Sequence, residues 1–301
     1  MYKSILVPLD SSSFAEDAVS VAVSIALRAK GNLCLATVEM SPAFVRPGYP
    51  TPGPGEAAKE YLAGVAEEVR ESSGVGVATE VVVGGNVADG IETLRARVGA
   101  GLVVVSTHGH GPMARSWLGS TADEHLRRSQ APVLLIRPRD QGEERDLTKE
   151  LQVDRILIAT DGSVTSEAIF GPALELGQLL EADCHVLRIV EFPHGIPSVY
   201  PPDAAADNRE QLEAAKAAAD QETADLVERL RERGWNVTSS VETHAHVASG
   251  VLAAGAEGNF DLIALATHGR GGVRRMVLGS VADKLVRSAD VPVLVVRPTE
   301  D

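Results

Sequence analysis

The run Ser106-Thr-His-Gly-His-Gly-Pro-Met-Ala-Arg-Ser-Trp-Leu-Gly-Ser-Thr-Ala-Asp123 recurs 160 residues later as Ala266-Thr-His-Gly-Arg-Gly-Gly-Val-Arg-Arg-Met-Val-Leu-Gly-Ser-Val-Ala-Asp283. Across 106–138 and 266–298, 16 of 33 positions are identical. Near the start of the chain the offset is 151, since Ile5-Leu-Val-Pro-Leu-Asp10 corresponds to Ile156-Leu-Ile-Ala-Thr-Asp161. A repeat of about 150 residues is long enough for each copy to own a core.

The repeat predicts two tandem domains, at 1–140 and 153–301, joined by a linker at 141–152. Around that boundary the charged run Arg139–Glu150 lacks apolar periodicity. Such a run is typical of a solvated connection, in which a short helical turn can form.

Short β-branched runs alternate with longer amphipathic stretches in both copies, which predicts an α/β fold with two open, doubly wound, five-stranded parallel sheets. The predicted strands are Ser4–Leu9, Leu33–Val38, Val77–Val83, Leu102–Ser106 and Val133–Ile136, then Arg155–Ala159, Cys184–Val190, Val237–Glu242, Leu262–Ala266 and Val293–Val296. The predicted helices of the first copy are Ser13–Ala29, Glu56–Ser72, Val87–Val98 and Ser120–Ser129. The first of them opens with the capping-box spacing Ser13-x-x-Glu16.

Two proline-rich stretches, Ser41–Pro54 and Phe192–Pro202, predict surface connections that either fold over a ligand or are simply irregular.

Composition and charge narrow the class of protein. The chain has 301 residues and is 44% hydrophobic and 23% charged, which is typical of a folded globular protein. Its net charge of −14 repels a phosphate backbone, so we expect no nucleic-acid partner. No run approaches the roughly 18 apolar residues of a membrane span, and Met1–Ile5 leads into a polar turn, so we expect no membrane partner and a cytoplasmic location. Cys34 and Cys184 each lie alone in an apolar run, which predicts buried side chains.

Polar residues follow the predicted strands at the edge where parallel sheets bind ligands. Asp10 and Asp161 follow the first strand of each copy, and Glu39 and Glu191 follow the second. After the fourth strand come Thr-His-Gly loops, and later a Gly-Ser pair precedes a helix. Converging backbone N–H groups and a helix N-terminus favour a phosphate there. A purely structural strand-to-helix turn is the alternative.

Two common nucleotide motifs are not matched. Gly109-x-Gly111 follows the fourth strand rather than the first and lacks the third glycine of a dinucleotide fingerprint. The sequence also contains no Gly-x-x-x-x-Gly-Lys-Ser/Thr motif, which excludes a P-loop.

Over essentially its whole length the chain resembles a tandem member of the universal stress protein family. The ATP-binding subgroup of that family carries Gly-x-x-Gly, nine residues, then Gly-Ser/Thr. Here Gly109 is followed by nine residues and Gly119-Ser120, and Gly269 by nine residues and Gly279-Ser280. The first glycine of the pattern is replaced by Ser106 in one copy and Ala266 in the other.

The resemblance implies adenine nucleotide, ATP with Mg²⁺, as the ligand of each copy, in a regulatory stress-response protein. Asp10 and Asp161 would contact the adenine or ribose, and Val38 and Val190 would contact adenine through backbone groups. The residues lining the base pocket would be Pro8, Leu9, Ala159 and Thr160. The residues holding the phosphates would be Gly109, Gly119, Ser120 and Thr121 in the first copy, and Gly269, Gly279, Ser280 and Val281 in the second. The adjoining loop residues Thr107, His108, Thr267, His268 and Arg270 complete the predicted nucleotide-binding set.

His108 and His268 also allow a catalytic interpretation, as an acid, a base or a metal ligand beside a phosphate. Neither has a partner carboxylate or second histidine at metal-ligand spacing in the sequence. We therefore predict no catalytic residue and no metal site made by protein ligands alone. Two alternatives to regulatory nucleotide binding stay open: an interaction module without nucleotide, and a slow ATPase or nucleotidyl transferase.

The two copies also differ in charge. The second has Arg270, Arg274 and Arg275 where the first has His110, Ala114 and Arg115, which predicts tighter triphosphate binding in the second. The resemblance further implies that the last strands of the two copies, Val133–Ile136 and Val293–Val296, join in an intramolecular pseudo-dimer. A homodimer of such chains is compatible with this arrangement.

Overall fold

The computed structural model describes residues 1–39, 55–107, 120–137, 147, 150–192, 202–267 and 278–298. The chain divides into two compact units, comprising mainly Met1–Gln152 and Val153–Val293. The predicted linker boundaries at 141–152 stay a prediction.

The first unit is a parallel sheet with helices between its strands. Its elements are β1 Ser4–Pro8, α1 Ser13–Ala29, β2 Asn32–Glu39, α2 Glu56–Ser73, β3 Gly76–Val83, α3 Val87–Val98, β4 Leu102–Ser106, α4 Ser120–Arg128 and β5 Val133–Ile136. The strand order is β3-β2-β1-β4-β5. The pairs β1–β2, β1–β4, β2–β3 and β4–β5 are all parallel, with Pro8 opposite Ala36 and Ile5 opposite Leu102.

The second copy of the repeat, which forms the second unit as far as Val293, has the same arrangement. Its elements are β6 Arg155–Thr160, a 3₁₀ turn at Ser166–Ile169, α5 Phe170–Leu180, β7 Asp183–Glu191, α6 Pro202–Glu232, β8 Val237–His244, α7 Val247–Glu257, β9 Leu262–Ala266, α8 Ser280–Ser288 and β10 Val293–Val296. The strand order is β10-β9-β6-β7-β8, and β6 pairs in parallel with both β7 and β9. The predicted α/β fold with parallel sheets is therefore confirmed.

The strand order places a switch point in each unit. In the first unit the chain leaves β1 towards β2 on one side, while β4 lies on the other side of β1. In the second unit β7 and β9 lie on the two sides of β6 in the same way. Connections that depart in opposite directions leave a crevice beyond the carboxyl ends of such strands. The core lies beneath that crevice, because every residue of Leu102–Ser106 and most of Leu262–Ala266 is buried. This is typical of strands that are covered on both faces.

The predicted bounds of α1, Ser13–Ala29, are confirmed, but its N-cap differs from the prediction by one residue. The N-cap is Ser12, whose hydroxyl oxygen accepts a hydrogen bond from the Ala15 N–H at 3.0 Å, so the predicted cap at Ser13 is wrong. Glu16 instead accepts a hydrogen bond from the Tyr61 hydroxyl of α2 at 2.8 Å. A glutamate four residues after the cap is beyond the capping-box spacing, so it is available to a neighbouring helix.

Other predicted element boundaries shift by one or two residues. β2 and β7 continue to Glu39 and Glu191, past their predicted ends, because both residues still pair with the neighbouring strand. In the second proline-rich stretch, Pro202 begins α6, where a proline is tolerated because its missing N–H has no intrahelical acceptor in any case. The rest of that stretch, 193–201, and all of Ser41–Pro54 lie outside the described residues.

The described part of the predicted linker is not uniformly solvated. Leu147 is buried, and the Leu151 N–H donates to the Ser24 hydroxyl of α1 at 2.9 Å. Glu150 lies 3.4 Å from the Arg28 guanidinium. The contacts of Glu150 and Leu151 tie the end of this segment to α1, which charge patterning alone does not reveal.

Among the helices that the structure describes, none is both long and apolar enough to cross a membrane.

Candidate functional site

Two aspartates occupy matching turns at the carboxyl ends of β1 and β6. The Asp10 carboxylate accepts hydrogen bonds from the Ser12 N–H at 3.0 Å and the Ser12 hydroxyl at 2.5 Å. The Asp161 carboxylate accepts the same pair from Ser163, at 2.9 Å and 2.6 Å. Because two donors hold one carboxylate oxygen, the side-chain direction of each aspartate is set by the serine two residues later.

The residue between each aspartate and serine has a left-handed backbone, with φ of 65° at Ser11 and 75° at Gly162. Glycine adopts this region freely, whereas serine does so at a steric cost. The turn therefore persists in the first unit without glycine, which indicates that the surrounding hydrogen bonds hold it.

The aspartate turns are also tied to the helices that follow. Ser12 accepts from the Ala15 N–H at the start of α1, and Ser163 accepts from the Ser166 N–H at 3.2 Å. Each carboxylate thus lies beside a helix N-terminus, whose partial positive charge favours an anion. Sequence reasoning singled out the aspartates and missed the two serines, although the spacing Asp-x-Ser occurs in both copies.

The residues just before the aspartates lie at the carboxyl ends of β1 and β6. Leu9 is buried, and its N–H donates to the Ala36 carbonyl at 2.7 Å while its own carbonyl accepts from the Thr37 hydroxyl at 3.0 Å. Thr160 is buried and shares a 2.8 Å hydrogen bond with Ser166. Pro8 and Ala159 are half-buried at the equivalent positions before them.

The predicted adenine contacts of the second strands are not equivalent in the two copies. Pro8 lies opposite Ala36 and Ala159 opposite Leu187, so the residue that corresponds to Val38 is Ile189. Packing agrees, because a Cβ added at Gly90 would meet Val38 and one added at Gly250 would meet Ile189. Val190 lies one residue further along β7, on the opposite side of the strand. Matching Val38-Glu39 with Val190-Glu191 in the sequence cannot detect this difference of one residue.

The fourth strands end in buried threonines. The Thr107 N–H donates to the Ile136 carbonyl at 2.9 Å, and the Thr267 carbonyl accepts from the Gly279 N–H at 3.0 Å. This second bond holds the two ends of the 268–278 connection together. A Cβ at Gly279 would lie 2.7 Å from the Thr267 carbonyl oxygen, so only glycine allows the approach.

Gly279 is also the N-cap of α8 and provides no side-chain hydrogen bond to that helix. The first intrahelical bond runs from the Asp283 N–H to the Gly279 carbonyl at 2.9 Å. By helix geometry, the N–H groups of Ser280, Val281 and Ala282 have no intrahelical acceptor. Such a helix start beside a strand end is a geometry that can bind an anion.

The remaining predicted contacts lie outside the described residues. They are His108, Gly109, Gly119, His268, Gly269 and Arg270, together with His110, Ala114, Arg115, Arg274 and Arg275 of the charge comparison. The backbones of Ser120 and Thr121 begin α4.

Near the second aspartate, β7 carries a charged residue that sequence reasoning did not select. Arg188 lies opposite Thr160 and is buried, and its guanidinium lies 2.7 Å from the Glu222 carboxylate of α6. The equivalent residue of the first unit is Thr37, by the same strand register. The two units therefore differ at this strand position, where the second holds a buried arginine paired with a glutamate and the first a threonine.

Thiol and metal chemistry find little support in the described ranges. Burial raises the pKa of both Cys34 and Cys184 to about 11, so neither thiol is poised as a nucleophile. Within those ranges, no three histidine, cysteine, aspartate or glutamate side chains are placed to hold a metal ion.

Known proteins resemble this chain over its full length. The model of the "Universal stress protein family" matches residues 1–137 and again 152–297. A universal stress protein of Mycobacterium bovis is 28% identical over 293 residues, which covers 92% of this chain and 94% of that protein. One from Mycolicibacterium smegmatis is 30% identical over 205 residues, covering 66% of this chain and 62% of the relative.

A solved structure supports the fold independently of sequence. The crystal structure of a universal stress protein from Archaeoglobus fulgidus has a TM-score of 0.69 and 19% identity, and covers 99% of both chains. Two matches to the family model, one for each repeat, account for nearly every residue of the sequence. The chain therefore belongs to the universal stress protein family and carries two copies of its domain.

Proposed function

We propose that each of the two units binds an adenine nucleotide, ATP with Mg²⁺, and that occupancy regulates the protein in a stress response. The observation that carries this proposal is the matched pair of aspartate turns at the carboxyl edge, each with Asp-to-Ser distances of 2.5 to 3.0 Å. Two separate turns hold a carboxylate in one geometry beside the switch point, where parallel sheets bind ligands.

The proposed role of each residue follows from its position at the carboxyl edge of the sheet. Asp10 and Asp161 accept hydrogen bonds from the ribose or adenine, and Leu9 and Thr160 form the floor of the base pocket. The close approach of Gly279 to Thr267 and the uncapped start of α8 fit a phosphate group in the second unit. The equivalent phosphate residues of the first unit are Gly109, Gly119, Ser120 and Thr121.

The residues present fit the nucleotide better than they fit a protein-held metal. Mg²⁺ prefers oxygen ligands and keeps several waters. In this proposal Mg²⁺ would be held by the phosphates and water. Its contribution there is to neutralise phosphate charge.

The test is to denature freshly purified full-length protein and identify the released nucleotide by chromatography and mass spectrometry. About two adenine nucleotides per chain would support both sites, and about one would support the predicted asymmetry. Asp10→Asn and Asp161→Asn are then each expected to lower the stoichiometry or affinity at one site.

No released nucleotide, together with no thermal shift on adding Mg-ATP, would reject the proposal and favour the interaction module. Turnover of ATP well above background would instead favour the enzymatic alternative, and loss of that turnover in the His108→Ala/His268→Ala double variant would place it at these loops. The pairing of the two last strands within one chain stays a prediction. Sedimentation analysis of the intact chain tests the separate prediction of a homodimer.

A further inference from the structure

One buried histidine distinguishes the two units. His125 lies on α4, and its side chain is only 1% exposed. With the 160-residue offset of the repeat, the equivalent residue on α8 is Leu285, which is 0% exposed. The same core position therefore holds an ionisable imidazole in the first unit and an aliphatic side chain in the second.

The imidazole lies in unfavourable surroundings for a proton. Among the residues that the structure describes, neither ring nitrogen of His125 has a partner at hydrogen-bonding geometry. Burial and the positive charge of Arg95 on α3 lower the pKa of His125 to about 4, against a weaker raising effect of the Ala88 carbonyl. A charged imidazole is thus strongly disfavoured while α4 is packed.

The other charged groups of α3 and α4 have partners on these two helices or next to them, and Arg97 of α3 pairs with Glu80 of β3 at 2.7 Å. On α3, Glu92 pairs with Arg95 at 2.7 Å, and Asp89 contacts Arg128 of α4. On α4, Glu124 accepts hydrogen bonds from the Asn86 side chain at 3.0 and 3.1 Å. The remaining pair of α4, Asp123 and Arg127, is internal to that helix at 3.0 Å. One oxygen of Glu92 is buried without a partner in the described ranges.

α4 also carries the proposed phosphate residues of the first unit, since Ser120 and Thr121 begin the helix. Any loss of packing between α3 and α4 would displace them. We propose that His125 makes α4 an acid-sensitive element, so that protonation loosens α4 and weakens nucleotide binding in the first unit but leaves α8 unaffected. The effect on binding rests on the proposed function, whereas the effect on α4 does not.

The direction of the pH effect on α4 follows from the linkage between proton binding and opening of the helix. In an opened or unfolded α4 the histidine has its ordinary pKa near 6.5, so protons bind the opened state more tightly than the packed state. The stabilisation of the packed state is complete above pH 6.5 and is lost as pH falls towards 4. The two pKa values imply that the opening equilibrium rises about tenfold at pH 5.5 and approaches about 300-fold below pH 4.

The experiment is amide hydrogen exchange of the full chain at pH 7.5 and 5.5, followed by mass spectrometry, with rates corrected for the intrinsic pH dependence of exchange. We expect the opening of peptides covering α4 to rise about tenfold between the two pH values, while peptides covering α8 change little. His125→Leu, which copies the second unit, should abolish the change in α4, and Leu285→His should create one in α8. An equal change in both helices, or a change in α4 that survives His125→Leu, would overturn the proposal.

A direct titration keeps the test decisive if either variant fails to fold. The imidazole resonances of His125 in the labelled wild-type chain should titrate well below pH 5.5, and a midpoint near 6.5 would overturn the proposal. Nucleotide affinity at pH 7.5 and 5.5, measured in the Asp161→Asn variant, then reports the first site alone. Absence of binding at both pH values would reject the proposed function, while the hydrogen-exchange result would still decide whether His125 controls α4.

Discussion

The Ser12 hydroxyl donates a 2.5 Å hydrogen bond to the Asp10 carboxylate and at the same time accepts one from the Ala15 N–H at 3.0 Å. One side chain therefore caps α1 and orients the carboxylate that follows β1. Ser163 does the same for Asp161 in the second unit. The start of a helix and the proposed ligand contact are built from a single three-residue turn.

This relationship predicts that Ser12→Ala affects both stability and binding. Loss of the cap should lower the free energy of unfolding by about 1 kcal/mol. Since Asp10 then loses its hydroxyl donor, nucleotide affinity at the first site should fall several-fold, and Ser12→Thr should restore much of both. Denaturant unfolding and calorimetric titration measure the two effects. Ser20→Ala is the matched control, because its hydroxyl bonds to the Asp17 carbonyl within α1. An equal loss of affinity in that control would show that Asp10 orientation is not the cause.

Gly279→Ala should disrupt the second site. The added methyl would lie 2.7 Å from the Thr267 carbonyl oxygen, so the hydrogen bond that closes the 268–278 connection must break or shift. We expect a loss of about 1 to 3 kcal/mol in stability and a marked loss of nucleotide at the second site. Gly171→Ala serves as the control in the same unit, because a Cβ there meets nothing within 4 Å. Unchanged occupancy of the second site in Gly279→Ala would contradict the proposed phosphate position.

We expect His185 to make the stability of the second unit depend on pH. Its ring nitrogens lie 2.8 Å from the Thr238 hydroxyl and 2.9 Å from the Ser240 hydroxyl. Burial and the nearby Arg155 lower the pKa of His185 below its ordinary value of 6.5. The neutral form is favoured in the folded state, so its contribution to stability is present above pH 6.5 and declines as pH falls.

Titration of the His185 resonances should therefore give a midpoint below 6.5, and the smaller burial of this side chain predicts a smaller shift than for His125. His185→Cys reproduces Cys34, the residue at the equivalent strand position, and should remove this part of the pH dependence. A midpoint at or above 6.5 would mean that the two hydroxyl groups stabilise the charged ring.

The two cysteines should be unreactive in the native protein. Both thiols are buried, and their pKa values of about 11 leave almost no thiolate at neutral pH. A chromogenic disulfide reagent at pH 7.5 should label neither cysteine rapidly, and should label both after denaturation. The Cys184 sulfur packs against Gly177 of α5, where an added Cβ would lie 2.5 Å from it, and fast native labelling of Cys184 would indicate that this contact opens readily.

The fold could be predicted from sequence because its signals are local. The apolar run Leu102–Ser106 forms β4 within its predicted limits, and Val87–Val98 forms α3 in the same way. Strand alternation and helical periodicity are properties of neighbouring residues, so they survive without knowledge of tertiary contacts. The bounds of α1 were predicted correctly, but its N-cap, Ser12, was not, because the adjacent Ser13 is an equally good cap and the choice depends on the turn made by Asp10.

By itself the sequence determined the duplication, the βα order in each copy and the aspartates at the carboxyl ends of the first strands. Tertiary structure decided which residue corresponds to Val38 and which histidine is buried, since Ile189 and His125 owe their roles to strand register and helix packing. Register and packing join residues far apart along the chain, and their energies depend on contacts that no local pattern contains. That is why His108 and His268 drew attention in the sequence, whereas the strongest environmental effect on a described histidine falls on His125.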